Sequence, residues 1–166
     1  MEAAAARLPA PAFRPSDRLT AEEVLAARCA APLLITALFP FTVRAIARRV
    51  HAASPRAAAP LLHTSVHAFP VDDPRPLEFW SALLARADGG SLLLTHLEDA
   101  PAIVQEQLIT VLDDLTDARR AGTAAVRLMG GTTACLADRV ALGTFSDRLF
   151  YRLNVLHIEA HNTVII

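Results

Sequence analysis

From residue 20 onward the chain alternates short uninterrupted apolar runs with longer stretches in which apolar residues recur at helical spacing. Residues 33–36, 61–66, 91–95, 125–129 and 155–158 form the short runs. Strands apolar on both faces belong inside a parallel sheet. The segments between them predict helices over 21–28, 42–53 and 74–87, and a long helix opening at Pro101. Thr20 followed by Glu23 is a capping-box signature for the first helix. Ser54-Pro55 closes the second, because a residue before proline leaves the helical region. Phe79, Trp80, Leu83 and Leu84 share one side of the third. Val104, Leu108, Val111, Leu112 and Leu115 give the fourth an apolar stripe of 3.6-residue period, with Pro101 in its first turn, where a missing N–H costs nothing. Gly89-Gly90 breaks the chain before the third strand, and one or two helices fit between the last two strands. The alternation predicts an α/β fold, a three-layer αβα sandwich around a five-stranded parallel sheet.

Composition narrows the setting. At 166 residues the chain suits one domain, and 53% hydrophobic residues supply a core. Residues 1–18, rich in Ala, Pro and Arg, read as a flexible leader, 19–160 as the core and 161–166 as a tail. No apolar run approaches the roughly 18 residues of a spanning helix. Arg7 and the prolines interrupt the N-terminal alanines, so a secretory signal is not expected and the reading is cytoplasmic. A net charge of −1 gives no global attraction to nucleic acid or to a membrane. The basic residues are scattered, with no recognition helix, so no direct nucleic-acid contact is expected from this domain. All sixteen are arginine; the chain has no lysine. Cys29 and Cys135 lack metal-site spacing and read as buried free thiols. His63 and His67 lie on a strand running into a loop rather than on one helical face, so no metal is expected.

The last third narrows the field further. Phe145-Ser146-Asp147-Arg148-Leu149-Phe150-Tyr151-Arg152-Leu153-Asn154-Val155 resembles the F-R-E-D-L-Y-Y-R-L-N-V signature of bacterial sigma-54-dependent activators, AAA+ ATPases that remodel the sigma-54 RNA polymerase. Leu33-Leu34-Ile35-Thr36, continued through His51 to Ser54-Pro55-Arg56-Ala57, is similar to the family's V-L-I-T … A-I-H-R-L-S-P-R-A. Gly89-Gly90-Ser91-Leu92-Leu93-Leu94 is similar to its G-G-T-L-F-L. The resemblance spans about residues 30 to 158 and implies a P-loop, AAA+-type sheet.

It also implies that the nucleotide machinery is degenerate. Where the family has G-E-S-G-T-G-K-E, this chain has Ala37, Leu38, Phe39, Pro40, Phe41, Thr42, Val43 and Arg44. A phosphate-cradling loop needs glycines that let successive N–H groups wrap the anion. Pro40 has no N–H, Phe39 and Phe41 add bulk, and Val43 stands at the lysine position, with Arg44 one place out of register. The rings of Phe39 and Phe41, with Pro40, are expected to pack over the vacated phosphate site and close it. The family's metal-organising aspartate and water-polarising glutamate correspond to Thr95 and His96. Glu98 and Asp99 follow, but register aims them elsewhere. The family's sensing asparagine falls on Thr133. Its two trans-acting arginines fall on Ser146 and Arg152, so only the second survives. Between Phe69 and Asp88 nothing matches the sigma-54-gripping G-A-F-T-G-A, and Phe79 and Trp80 read as core. The chain stops soon after Ile158, so the helical lid is not expected. The resemblance therefore implies a pseudo-ATPase without an ATP or Mg²⁺ cofactor. Its partner would be a protein, either an intact sigma-54 activator or a second copy, met near Asp147, Arg148 and Arg152. Two alternatives stay open: an atypical nucleotide-binding ATPase domain of a sigma-54-dependent response regulator, and the scaffold part of a DNA-binding regulator.

Overall fold

A computed structural model describes residues 5–9, 18–73, 75–123 and 126–160. Its elements are β1 (Ala6–Arg7), α1 (Ala21–Arg28), β2 (Leu33–Ala37), α2 (Pro40–Ala52), β3 (Leu61–Ser65), α3 (Pro76–Arg86), β4 (Ser91–Thr95), α4 (Ala102–Arg120), β5 (Arg127–Thr132), α5 (Leu136–Ala141), α6 (Asp147–Leu153) and β6 (Leu156–Ala160). The sheet order is β1-β3-β4-β5-β2-β6. The five strands from β3 to β6 run parallel, as the apolar runs predict. A sixth strand was not expected: Ala6 and Arg7 pair antiparallel with His63 and Leu62 on the sheet edge. Part of the segment read as a leader therefore has a place in the fold. The tail 161–166, and the expected element starts at Pro74 and Ala125, lie outside the described residues.

Both sheet faces are covered, so the central strands carry apolar residues on both sides through their middles. Leu33, Ile35, Leu93 and Met129 pack on one face with Ala26 and Ala27 of α1 and with Val43, Ile46, Ala47 and Val50 of α2. Leu34, Leu92, Leu94 and Leu128 pack on the other with Trp80, Leu83, Leu108, Leu112, Leu149 and Leu153 of α3, α4 and α6. Phe79 and Trp80 belong to this core: Phe69 lies 5.0 and 4.9 Å from their rings. Trp80 Nε1 donates to Gln107 Oε1 at 3.0 Å, which satisfies the buried indole.

Local signals set the helix ends. Thr20 Oγ1 accepts from Glu23 N at 3.1 Å while Glu23 Oε2 accepts from Thr20 N at 3.1 Å, the reciprocal capping box. The same Glu23 carboxylate, 1% exposed, pairs with Arg49 of α2 and joins the two helices. Helix α4 ends on Arg119 and Arg120, whose charge suits the negative end of the helix dipole. Gly122 beyond it has φ +75° and Thr123 N returns to Ala118 O at 2.8 Å, closing the helix. No helix among the described residues is long and apolar enough to cross a membrane.

Candidate functional site

In an open parallel sheet, ligands sit beyond the carboxyl ends of the strands. Here β2, β4 and β5 deliver Ala37, Thr95 and Thr132 to that edge. Only Leu38 and Phe39 separate β2 from α2, because Pro40 already occupies the first helical turn. The helix thus begins two residues before the expected Thr42, for a physical reason: the fixed φ of proline suits the first turn and its missing N–H is not needed there. The N–H groups of Thr42 and Val43 donate to Phe39 O at 3.0 and 3.3 Å.

The aromatic rings do not close the site, contrary to expectation. Phe39 is 43% and Phe41 62% exposed, and they stack on each other with centroids 5.3 Å apart. The first residues of a helix that projects past the sheet edge face solvent, and the two rings stack on each other there. Closure comes from Val43, which is 1% exposed. A Cβ on Gly131 of β5 would stand 2.5 Å from Val43 Cγ1 and 3.3 Å from Thr95 Cγ2. Glycine at 131 is what permits this approach. Pro40, Val43, Thr95, His96, Gly131, Thr132 and Thr133 leave a hollow of only about 10 Å³.

On the next strand Thr95 is buried, and its Oγ1 shares a hydrogen bond with His63 Nε2 at 2.9 Å. Burial holds His63 below the usual histidine range, and the nearby Arg44 and His96 push it the same way, so the ring is neutral near neutral pH. His96 takes φ +59°, the one left-handed non-glycine among the described residues. Such a backbone costs about 1–2 kcal/mol for an L-residue. Its Nδ1 and Ser65 Oγ are 3.2 Å apart, and its ring lies 4.9 Å from that of His67. His67 Nε2 in turn meets Asp99 Oδ2 at 3.0 Å. These histidines bond to hydroxyls and one carboxylate; no group of three or more metal-ligating side chains gathers among the described residues.

Glu98 departs from the register argument. The left-handed step at His96 starts a 3-10 turn, Leu97–Asp99, that brings the carboxylate towards β5. Glu98 Oε1 accepts from Thr133 Oγ1 at 2.7 Å and from Thr133 N at 3.4 Å, while Oε2 is buried without a partner. The structure thus joins Thr133, expected to stand at the sensing position, to an acid that register had aimed elsewhere. A period-2 reading cannot foresee a reversal made by one left-handed residue.

Ser146 and Arg152 lie on α6, against α4. Ser146 caps α6, its Oγ accepting from Leu149 N at 3.3 Å, and its own N–H donates to Gln105 Oε1 at 2.8 Å. Arg152 Nε and Nη2 donate to Asp113 Oδ1 and Oδ2 at 2.7 and 3.2 Å, and Nη1 donates to Arg148 O at 2.9 Å. The hydrogen bond from Arg152 holds the Asp113 carboxyl below its usual range. The two cysteines are free but not both buried as expected: Cys29 is half-buried and Cys135 exposed. They sit at the C-cap of α1 and the N-cap of α5, and helix ends reach the surface.

Five parallel strands between helical layers, with a strand-to-helix turn at the crevice, define an α/β core of the P-loop AAA+ type. Comparison with known proteins agrees. Residues 80–159 match the family model of the sigma-54 interaction domain. The DNA-binding transcriptional regulator NtrC of Escherichia coli strain K12 is 35% identical over 131 residues, which cover 69% of this chain and 28% of that protein. The crystal structure of NtrX from Brucella abortus in complex with ATP superposes with a TM-score of 0.67 at 24% identity, covering 83% of this chain and 35% of that one. The P-loop NTPase domain of an Escherichia coli sigma-54 activator gives 0.58 at 21%, covering 84% of this chain and 97% of that domain. The chain is therefore a sigma-54 interaction domain core, related to the activators NtrC and NtrX. It spans little more than a quarter, 28%, of the length of the curated NtrC relative.

Proposed function

We propose that this chain is a catalytically inactive AAA+ module that acts through protein contacts in transcription regulation, in the cytoplasm. The observation that carries the reading is Val43: a side chain 1% exposed, seated against Gly131 where a nucleotide-binding relative would hold its lysine over the phosphates. The hollow beside Val43 is about 10 Å³, room for about one water, which supports the reading. The absence of lysine from the sequence removes the usual phosphate-neutralising ammonium. Thr95 and His96 supply no carboxylate where Mg²⁺ would be organised, and Mg²⁺ favours oxygen anions and water. Hydrolysis without metal, lysine or loop has nothing to stabilise the charge that develops on the transferred phosphoryl group.

The partner in this reading is an intact sigma-54 activator or a second copy, met through the α6 face that carries Asp147, Arg148 and Arg152. The experiment is co-purification of the tagged chain with an untagged intact activator, with and without Arg148→Ala. Recovery that drops with the variant supports the reading; failure to recover any activator rejects the partner.

A second reading, an atypical nucleotide-binding ATPase domain of a sigma-54-dependent response regulator, is favoured by Glu98. This carboxylate sits beside Thr133 with one buried oxygen free of partners, the type of acid a metal or an attacking water needs. It predicts a rise in melting temperature that grows with ATP and Mg²⁺ concentration, following RT ln(1 + [L]/Kd). A flat response eliminates it.

A further inference from the structure

The opposite end of the sheet carries a feature that the nucleotide reading does not use. Where α1 ends, the α2–β3 connection passes and β5 begins, a cavity of about 290 Å³ opens between Arg28, Cys29, Ser54, Arg56, Gly89 and Arg127. Arg127, the first residue of β5, is 2% exposed. Its Nε donates to Ala31 O at 3.2 Å, but Nη1 and Nη2 are buried and have no hydrogen-bond partner. Arg56 is half-buried on the same wall, with Nη1 donating to Gly90 O at 3.2 Å, and Arg28 is exposed at the rim. No residue lining the cavity carries a carboxylate.

Arginine is almost never fully buried unless paired, because taking the charge out of water is costly without a counter-charge. Burial is the main influence on Arg127, holding its pKa down to about 10, and Arg56 adds to the effect while Cys29 opposes it. Glu23, also a buried ion, is handled differently: it has Arg49 as its partner. Arg127 instead keeps a planar fork of unused donors buried at the wall of a hollow that two more guanidiniums also line. That fork matches the paired oxygens of a carboxylate or a phosphate. The cavity is near the lower end of ligand pockets, roughly 300 Å³, which suits a small acid.

We propose that this cavity is a binding site for a small free oxyanion, a carboxylate or phosphate group, clasped by the Nη1 and Nη2 donors of Arg127 with Arg56 and Arg28 at its mouth. The site lies at the amino ends of the strands, so it is separate from the crevice that binds nucleotide in relatives and does not depend on whether that crevice is active. The ligand neutralises the buried guanidinium and ties the end of α1 to the start of β5, raising the stability of the folded chain.

The test is thermal unfolding and calorimetric titration of the purified chain with inorganic phosphate and, separately, with malonate, ionic strength being held with sodium chloride. A melting temperature that rises with the logarithm of ligand concentration supports the site. A response to phosphate alone assigns a phosphate ligand, and a response to malonate alone a carboxylate. Arg127→Met keeps the apolar volume and weakens binding at least about tenfold, since it removes charge-assisted hydrogen bonds. A second readout uses the native chain: bound anion slows alkylation of Cys29 by iodoacetamide and leaves exposed Cys135 unaffected. No response beyond the chloride control, a response that survives Arg127→Met, or Cys29 alkylation unchanged at saturating anion overturns the proposal.

Discussion

Replacing Gly131 with alanine probes the seat of Val43 directly. The new methyl would lie 2.5 Å from Val43 Cγ1, against an ordinary carbon–carbon contact of about 3.5–4.0 Å. The overlap is about 1 Å, and it falls on a β-branched side chain that in a helix keeps one strongly preferred rotamer. Val43 cannot swing aside, so α2 or β5 must shift. Overpacking of this kind costs about 1–3 kcal/mol. The stiffer unfolded chain returns about 0.4–1 kcal/mol where the backbone suits alanine, leaving a net loss of about 1–2 kcal/mol. Val43→Ala alone removes two methyls worth about 0.8 kcal/mol each, plus a cavity, for about 2–3 kcal/mol. In the double variant the alanine methyl at 131 enters the space that Val43 vacates. The combined loss is then smaller than the sum by about 1–2 kcal/mol. Urea denaturation of the four proteins reads the cycle as midpoint shifts at constant slope. Losses that add within about 0.5 kcal/mol would mean that Val43 and Gly131 do not touch, and the filled crevice would have no basis.

Three further outcomes follow from other parts of the molecule. His51 is held below its ordinary value chiefly by burial, with Arg127, Arg56 and Arg7 adding to it against the hydrogen bond to Ala59 O, and His63 by burial, Arg44 and His96. The unfolded chain therefore takes up protons near pH 6.5 that the folded chain does not. Stability is full above that value and falls as pH drops toward the folded pKa values, by up to about 1.4 kcal/mol per pH unit for each ring; denaturation of His51→Gln should show a shallower fall. Gly90→Ala would place a Cβ 1.9 Å from Pro60 O, a backbone atom that cannot turn away, so a loss of about 3 kcal/mol or more is expected by chemical denaturation. Asp113 should titrate below the usual carboxylate range in a carbon-detected NMR experiment, and return toward it in Arg152→Ala, since that hydrogen bond is the leading cause of its shift.

Much of this fold was written in periodicity. The apolar cores of runs such as Leu33–Ala37 and Ser91–Thr95 are unbroken because helices cover both faces, and that pattern is readable without a structure. Capping chemistry at Thr20 and Glu23 was equally legible, since it depends on residues three apart. The edge strand Ala6–Arg7 was hidden because two exposed residues carry no pattern; it exists through its pairing with β3. At the candidate site the sequence supplied identities but misjudged directions. Val43 was read as a missing lysine, and only packing shows it filling the hollow. Phe39 and Phe41 were expected to do so and instead stack in solvent. Glu98 was misplaced because one left-handed residue, His96, redirects the chain after β4. Arg127 carries a signal readable in the sequence: a charged residue opening a central strand ahead of Leu128 and Met129.

Equilibrium binding of ATP, with and without Mg²⁺, to the purified chain, followed by a steady-state phosphate-release assay, addresses the central claim. The filled crevice predicts no saturable binding at millimolar nucleotide and no release above the buffer rate. Saturable binding with magnesium-dependent turnover that is lost in Arg44→Ala or His96→Ala would contradict it.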